Sequence, residues 1–300
     1  MKTLIKKIPI FVIAMGGLGN QMFVLTSGLL EANQRKRKLL VVTKWYDRQQ
    51  RGSHLKNYER RLEISKFPHI ENHYILNSKI LNFLLFYQYK FALKFKKLSN
   101  SIGVVNLDLP NIKTKGALIL YGNMQTDKGY EEIKNKLGSI FRMSKADEIY
   151  VSEQIRELKS DKKSLVAVHI RRGDLTVPGN IYNLLPISYY NDAISKFHRA
   201  EVKYLIFSDD ISWCKEKFLG DNFIFIKEED PVKSMRLMNL CDHYILSSST
   251  FSWWGAWLTQ SQDARIYFPR VRDLDGSACI MASVPQPEWS GVLTEFVKSI

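Results

Sequence analysis

The sequence predicts an α/β protein whose parallel strands carry helices on both faces. Three observations lead there. Short apolar runs alternate with longer helical patterns along the chain, the pattern of repeated strand–helix units. The clearest run, Val166-Ala167-Val168-His169-Ile170, is crowded with β-branched residues and ends in Arg171-Arg172-Gly173-Asp174-Leu175. A first run, Ile8 to Met15, opens into the glycine turn Gly16-Gly17-Leu18-Gly19-Asn20-Gln21. In open α/β sheets ligands bind at the carboxyl ends of strands, where such polar turns gather.

Lys6 and Lys7 before Ile8 to Met15 mimic a secretory signal, but Pro9 interrupts and the run stops at strand length. It is read as a strand. A helix is expected from about Met22 to Gln34, then a strand Leu39 to Val42. Arg48 to Arg61 reads as a basic loop. Leu81 to Leu98 reads as a helix, aromatic and basic, with Phe83, Phe86, Tyr87 and Lys90 near helical spacing. Such a helix is ordinarily core with its lysines outward; with the chain's charge it also leaves peripheral contact with an anionic membrane open. Ala117 to Tyr121 is a strand ending in Gly122-Asn123-Met124-Gln125, followed by helices Gly129 to Phe141 and Lys145 to Leu158. The polar stretch Lys159 to Ser164 marks the expected boundary between domains 1–160 and 161–300.

In the second half, strand Leu165 to Ile170 precedes helix Ile187 to His198. Strand Val202 to Phe207 ends in Ser208-Asp209-Asp210 and meets helix Ser212 to Phe218. Strand Phe223 to Ile226 precedes helix Pro231 to Cys241. Strand Tyr244 to Leu246 ends in Ser247-Ser248-Ser249-Thr250 and meets helix Phe251 to Gln260. Ile266 to Phe268 is the last strand.

The chain has 300 residues, 45% of them hydrophobic and 12% aromatic, enough for full cores. Its net charge of +14 implies an anionic partner: nucleic acid, an anionic membrane or a phosphorylated substrate. Cys214, Cys241 and Cys279 are too few and too scattered for a zinc site or a disulfide framework, so a reducing, cytoplasmic setting is expected. Cys241 reads as a buried small hydrophobe. No apolar run approaches the ~20 residues of a membrane span.

The strand ends hold the candidate chemistry. Arg171 and Arg172 can each grip a phosphate with two parallel hydrogen bonds. They diverge while the strand continues; Gly173 lets the chain turn, and Asp174 can accept from one of them. The competing reading is a surface ion pair, worth only ~0–1 kcal/mol. Asp209 and Asp210 are split between receiving ribose hydroxyls or a guanine edge and capping the next helix. Of Ser247 to Thr250 one hydroxyl is a cap; the others, with the helix's backbone N–H groups, suit a phosphate. Phe251, Trp253, Trp254 and Trp257 read as helix packing, with Phe251 the exception beside the phosphates. At the N-terminal turn, Met22 stands where a dinucleotide fingerprint needs its third glycine, so Gly17-Leu18-Gly19 supports only a tight strand-to-helix turn. Asn20 and Gln21 are neutral amides that donate and accept without net charge.

These blocks carry a resemblance. Gly16-Gly17-Leu18-Gly19-Asn20-Gln21-Met22-Phe23, His169-Ile170-Arg171-Arg172-Gly173-Asp174, Phe207-Ser208-Asp209-Asp210 and Ser249-Thr250-Phe251-Ser252-Trp253-Trp254-Gly255-Ala256-Trp257-Leu258 resemble, in order, the motifs of bacterial alpha-1,2-fucosyltransferases of glycosyltransferase family 11. The second block also matches a motif shared with alpha-1,6- and protein O-fucosyltransferases. The resemblance runs from about Phe11 to Pro269 and is weakest over Arg48 to Leu109. It implies a GT-B-like fold, two Rossmann-like domains facing across a cleft, and leaves room for a last helix packing back on the first. It implies inverting transfer from GDP-fucose, held by the second domain, with no metal or cofactor. The acceptor would be the 2-hydroxyl of a terminal galactose on a glycan, in an O-antigen setting that allows a lipid-linked acceptor at the inner membrane face. Arg171 would contact the β-phosphate and Arg172 support it. His169 would lie near the nucleotide and Asp174 brace the loop. Ser249, Thr250 and Phe251 would line the diphosphate, and Asn20 reach the sugar. Gly17, Gly19, Gln21, Ser208, Asp209 and Asp210 join the expected substrate-binding set.

Two rivals stay open. A metal-dependent GT-A transferase would need a cation pair, for which Asp273-Leu274-Asp275 has the spacing. A basic nucleic-acid binder would need steep salt dependence and no GDP affinity.

Overall fold

A computed structural model describes residues 8–46, 60–95, 103–106, 119–122, 129–176, 184–259, 261–271 and 286–294. The chain divides into two compact units, Met1–Ser144 and Lys145–Ile300.

The first unit runs β1 (Ile10–Ile13), α1 (Leu18–Gln34), β2 (Leu39–Val42), α2 (Pro68–His73), α3 (Lys79–Lys94), β3 (Val104–Asn106), β4 (Ile119–Tyr121) and α4 (Lys134–Ile140). Its strands are parallel in the order β2-β1-β4-β3. An isolated parallel bridge, Val41 to Ile75, extends the β2 edge. All four residues of β1 are buried, as expected of an apolar strand covered on both faces. The chain then turns at Gly16, whose φ of +73° favours glycine. The helix starts at Leu18, four residues earlier than the sequence suggested, so Gly19, Asn20 and Gln21 form its first turn and not a loop. The close approach of helix to strand comes at Gly28, where a Cβ would lie 2.5 Å from Val12 Cγ1. That glycine does the packing work for which the fingerprint would have used position 22.

The second unit runs α5 (Lys145–Leu158), β5 (Ser164–Ile170), α6 (Ile187–Ile194), β6 (Val202–Ser208), α7 (Ile211–Lys217), β7 (Phe223–Phe225), α8 (Pro231–Asn239), β8 (His243–Ile245), α9 (Thr250–Trp257), β9 (Ile266–Val271) and β10 (Ser290–Thr294). The six strands lie in the order β10-β9-β8-β5-β6-β7, all parallel. Its first strand is central, the second and third lie to one side, and the fourth to sixth lie to the other. This is the doubly wound Rossmann order, and the reversal between β5 and β8 opens a crevice at their carboxyl ends.

Two differences from the sequence reading have clear causes. Helix α5, placed by sequence in domain 1–160, belongs to the second unit. Asp147 pairs with Lys233 at 3.1 Å and Glu148 with Arg236 at 3.0 Å, fixing it to α8. The last described element is β10, a strand hydrogen-bonded to β9, where a final helix had been allowed for; residues 295–300 lie outside the described residues. The expectations for residues 47–59, Asn123 to Gln125, Lys96 to Leu98, Asp273 to Asp275 and Cys279 also fall outside them. Cys241 is buried as expected, and desolvation pushes its thiol well above the ordinary range.

Candidate active site

The site in the second unit is built on neighbouring strand ends. Register sets Ile170, the last residue of β5, opposite Ser208, the last of β6, and Val168 opposite Ile245 of β8. His169 therefore stands at the rim of the crevice, with the loop after β8 beside it. Its Nδ1 lies 2.6 Å from Ser247 Oγ, a hydrogen bond that spans the switch point between β5 and β8. The imidazole stacks on Phe251, the rings 5.4 Å apart and inclined by 29°. Burial pushes the His169 pKa down to about 3, with the Arg171 charge adding to the effect. At neutral pH this ring is an uncharged hydrogen-bonding group and not a proton carrier.

Ser247 and Ser249 are both nearly fully buried, because they shape the start of α9. Ser249 Oγ caps the helix, accepting from the Phe251 N–H at 3.3 Å, and Ser252 Oγ donates to the carbonyls of Ser247 and Ser249. The cap expected somewhere in Ser247 to Thr250 is thus Ser249, whose hydroxyl accepts from the helix. Thr250 opens α9, whose N-terminal dipole favours an anion there. Trp253, Trp254 and Trp257 are buried, as their reading as packing residues required.

Beyond β5 the chain turns through a 3-10 segment, Gly173–Thr176. Arg172 is held from three sides. Its backbone N–H donates to Asp209 Oδ1 at 2.7 Å, its Nε donates to Asp210 Oδ2 at 3.1 Å, and its guanidinium lies 4.0 Å over the Trp213 ring. Asp210 Oδ1 meanwhile accepts from the Trp213 N–H at 3.1 Å, capping α7, and Ser208 Oγ accepts from the Asp210 N–H at 3.0 Å. Of the two roles the sequence left open, Asp210 takes the cap. Both Asp210 oxygens and one Asp209 oxygen accept from the protein's own N–H groups. These two aspartates brace the Arg172 side of the turn; the Asp174 side chain, expected to brace it, lies outside the described residues. Arg171 follows β5 directly, close enough for its charge to reach the His169 ring.

In the first unit the glycine turn is closed by its own neighbours. A Cβ on Gly16 would lie 2.7 Å from Asn20 Nδ2, so the Asn20 amide folds over this turn. Gly17 is the N-cap in an extended conformation, with Arg60 Nη1 at 3.3 Å from where a Cβ would stand. Gly19 is buried in the helix. Gln21 corrects a prediction: it is fully buried, and its amide is consumed by backbone. Nε2 donates to Gly16 O at 2.9 Å and Arg61 O at 2.7 Å; Oε1 accepts from the Glu63 and Ile64 N–H groups at 2.9 and 3.0 Å. It ties the segment after residue 59 to the turn and leaves nothing for a ligand.

Among the described residues no cluster of three or more His, Cys, Asp or Glu could hold a metal ion. No described helix is long and apolar enough to cross a membrane.

The sequence model of glycosyl transferase family 11 matches residues 9–292. The chain belongs to that family. It is 31% identical over 261 residues to an alpha-1,2-colitosyltransferase of Escherichia coli, covering 81% of this chain and 85% of that one. It is 26% identical over 287 residues to the O-antigen biosynthesis glycosyltransferase WbnK of Escherichia coli, covering 85% and 92%. A 149-residue stretch is 29% identical to human galactoside alpha-(1,2)-fucosyltransferase 1, covering 43% of this chain and 39% of that one.

In this family 11 glycosyltransferase, sequence reasoning missed Trp213, the aromatic floor beneath Arg172. The signal was available: an aspartate cap followed three residues later by Trp places that ring in the first turn of the helix, beside the cap's own partners. It also missed the Ser247 link to His169, because residues 78 positions apart meet only through sheet order.

Proposed function

We propose that this glycosyltransferase moves L-fucose from GDP-fucose to the 2-hydroxyl of a terminal β-galactose, inverting the anomeric centre and using arginine where other transferases use a metal. The observation that carries the reading is the Rossmann switch point, where the His169–Ser247 bond, the Arg171-Arg172 turn and the start of α9 converge. A nucleoside diphosphate suits that edge: its phosphates meet a helix N-terminus and guanidinium groups, and an uncharged histidine adds a hydrogen bond without disturbing the charge balance.

In the reaction the C1–O bond to the β-phosphate breaks as the acceptor oxygen forms its bond to C1 from the opposite face. GDP leaves with the bonding electrons, and the acceptor hydroxyl gives up its proton. Negative charge grows on the diphosphate while the sugar becomes oxocarbenium-like. Arg171 is assigned to that growing charge, stabilising the transition state more than the ground state. Arg172, clamped by Asp210 and Trp213, holds the loop from which Arg171 projects. Asn20, in the first unit, is assigned to the sugar; Gly17 keeps the turn low enough for close approach. The glycan acceptor could be lipid-linked.

The donor sugar is tested directly, since one relative is named for colitose and the others for fucose or O-antigen work. The chain is incubated with GDP-fucose or GDP-colitose and a panel of β-galactosides in EDTA, reading GDP release and product linkage by NMR. An α-1,2-fucosyl galactoside formed in the chelator is expected. Preference for GDP-colitose would overturn the sugar, and loss of activity restored by Mn²⁺ would overturn metal independence.

A further inference from the structure

Helix α3 has two apolar faces, and only one is covered. Leu85, Phe86, Tyr89 and Ala92 pack into the core beside Val42, Val104 and Ile119. The opposite side carries Ile80, Phe83, Leu84, Tyr87 and Phe91, with exposures from 37% for Tyr87 to 75% for Ile80. These positions follow the i, i+3, i+4, i+7, i+11 spacing of one helical stripe. Lys79 and Lys90 are exposed along one edge of that stripe, Lys94 is exposed beyond its C-terminal end, and the helix contains no acidic residue. A stripe of five large apolar side chains on a short helix exceeds the scattered exposure usual on soluble surfaces.

We propose that this face of α3 docks the enzyme on an anionic lipid bilayer. The charge argument selects the occupant. A helix lying in a membrane interface needs aromatic and aliphatic side chains directed into the acyl boundary and lysines reaching back to the headgroups, and α3 has both on adjacent arcs. The chain as a whole carries +14, so a negatively charged surface attracts it and the lysine edge orients it. A second copy of this chain would bring the same lysines against each other, which disfavours a dimer through this face. The inference stands apart from the identity of donor and acceptor.

The test is flotation of the full chain with vesicles of phosphatidylcholine alone or mixed with phosphatidylglycerol, at low and high salt. Wild type is expected to float with the mixed vesicles and to keep part of that binding at high salt. The variant F83S/L84Q/F91S keeps every charge and alters only exposed side chains; it is expected to lose the salt-resistant fraction. The variant K79Q/K90Q/K94Q is expected to lower affinity for mixed vesicles on the order of a hundredfold, about fivefold per lysine at an anionic surface. The charge-matched control K136Q/K145Q/K196Q, on other elements, is expected to lose far less. Circular dichroism melts report that each variant is folded. Equal loss in the control set, binding unchanged in F83S/L84Q/F91S, or a wild-type dimer in lipid-free solution abolished by that variant would each overturn the proposal.

Discussion

Replacing Asp210 separates the two tasks that one carboxylate performs. Oδ1 caps α7 through the Trp213 N–H at 3.1 Å, and Oδ2 holds Arg172 Nε at 3.1 Å. The side chains of Arg172 and Asp210 are 19% and 31% exposed, so their attraction is partly screened and amounts to about 1 kcal/mol. The cap contributes about 1 kcal/mol more. Asp210→Asn can keep the cap by turning its amide oxygen to Trp213, but it then presents N–H groups to the Arg172 Nε–H. The Arg172 guanidinium keeps its contact with the Trp213 ring and its backbone N–H keeps Asp209, but the side-chain clamp is lost and the Arg171 loop loosens. We expect Asp210→Asn to cost about 1 kcal/mol of stability, a fall in Tm of roughly 2–4 °C for a chain or unit of this size. We expect kcat/KM for the donor to fall about tenfold, which is about 1.4 kcal/mol of transition-state stabilisation. Asp210→Ala is expected to lose a further ~1 kcal/mol of stability with the cap, and little more activity. Steady-state GDP release and circular dichroism melts measure both. In an Arg172→Gln background the Asp210→Asn effect on kcat/KM is expected to shrink to within about twofold, because the two residues act through one contact. Full activity in Asp210→Asn, or an undiminished tenfold fall in the Arg172→Gln background, would refute this reasoning.

Two further predictions follow from the buried polar groups. Gln21→Leu removes the partner of two backbone N–H groups and of the Arg61 carbonyl and leaves Gly16 O to the Tyr46 hydroxyl, so a stability loss of about 2–4 kcal/mol is expected in chemical denaturation. GDP affinity by calorimetry is expected to survive in the folded fraction; a selective loss of affinity at unchanged stability would make Gln21 a ligand contact after all. For His169 the folded pKa of about 3 lies below the unfolded value of 6.5, so the unfolded chain binds more protons in between. Stability from this residue is complete above pH 6.5 and declines as pH falls toward 3. His169→Gln is expected to flatten the acid limb of the stability–pH curve over that window, and an unchanged limb would show that His169 does not titrate as described.

Much of this architecture is written in local pattern. The strands β5, β6 and β8 announce themselves because each is an apolar run stopped by a polar cluster, and their parallel pairing then brings His169, Ser208 and Ser247 to one edge. β3 and β10 escaped notice for opposite reasons. Val104 to Asn106 is too short for any period to show, and Ser290 to Thr294 mixes Ser, Gly and Thr into a strand whose pairing with β9 defines it. The early start of α1 was hidden because Gly17 caps it without a side-chain acceptor. For helix α3 the sequence favours a core helix with lysines outward and leaves membrane contact open; core packing describes Phe86 and Tyr89 but not Phe83, Leu84 and Phe91. Periodicity alone does not say which of two apolar stripes is covered. Side-chain partners were least legible. Nothing local distinguishes Gln21 the backbone brace from Gln21 the ligand contact, or assigns the oxygens of Asp210, since those choices are made by residues far away in sequence.

The central claim is that a guanidinium at the end of β5 takes up the charge of the departing diphosphate. Single-turnover transfer from GDP-fucose to a β-galactoside in EDTA, comparing wild type with Arg171→Lys, measures it most directly. A rate lower by roughly 10²–10³ with the fold and GDP binding retained is predicted, the cost of losing one oriented donor at a developing anion. Turnover near the wild-type rate in Arg171→Lys would contradict the account.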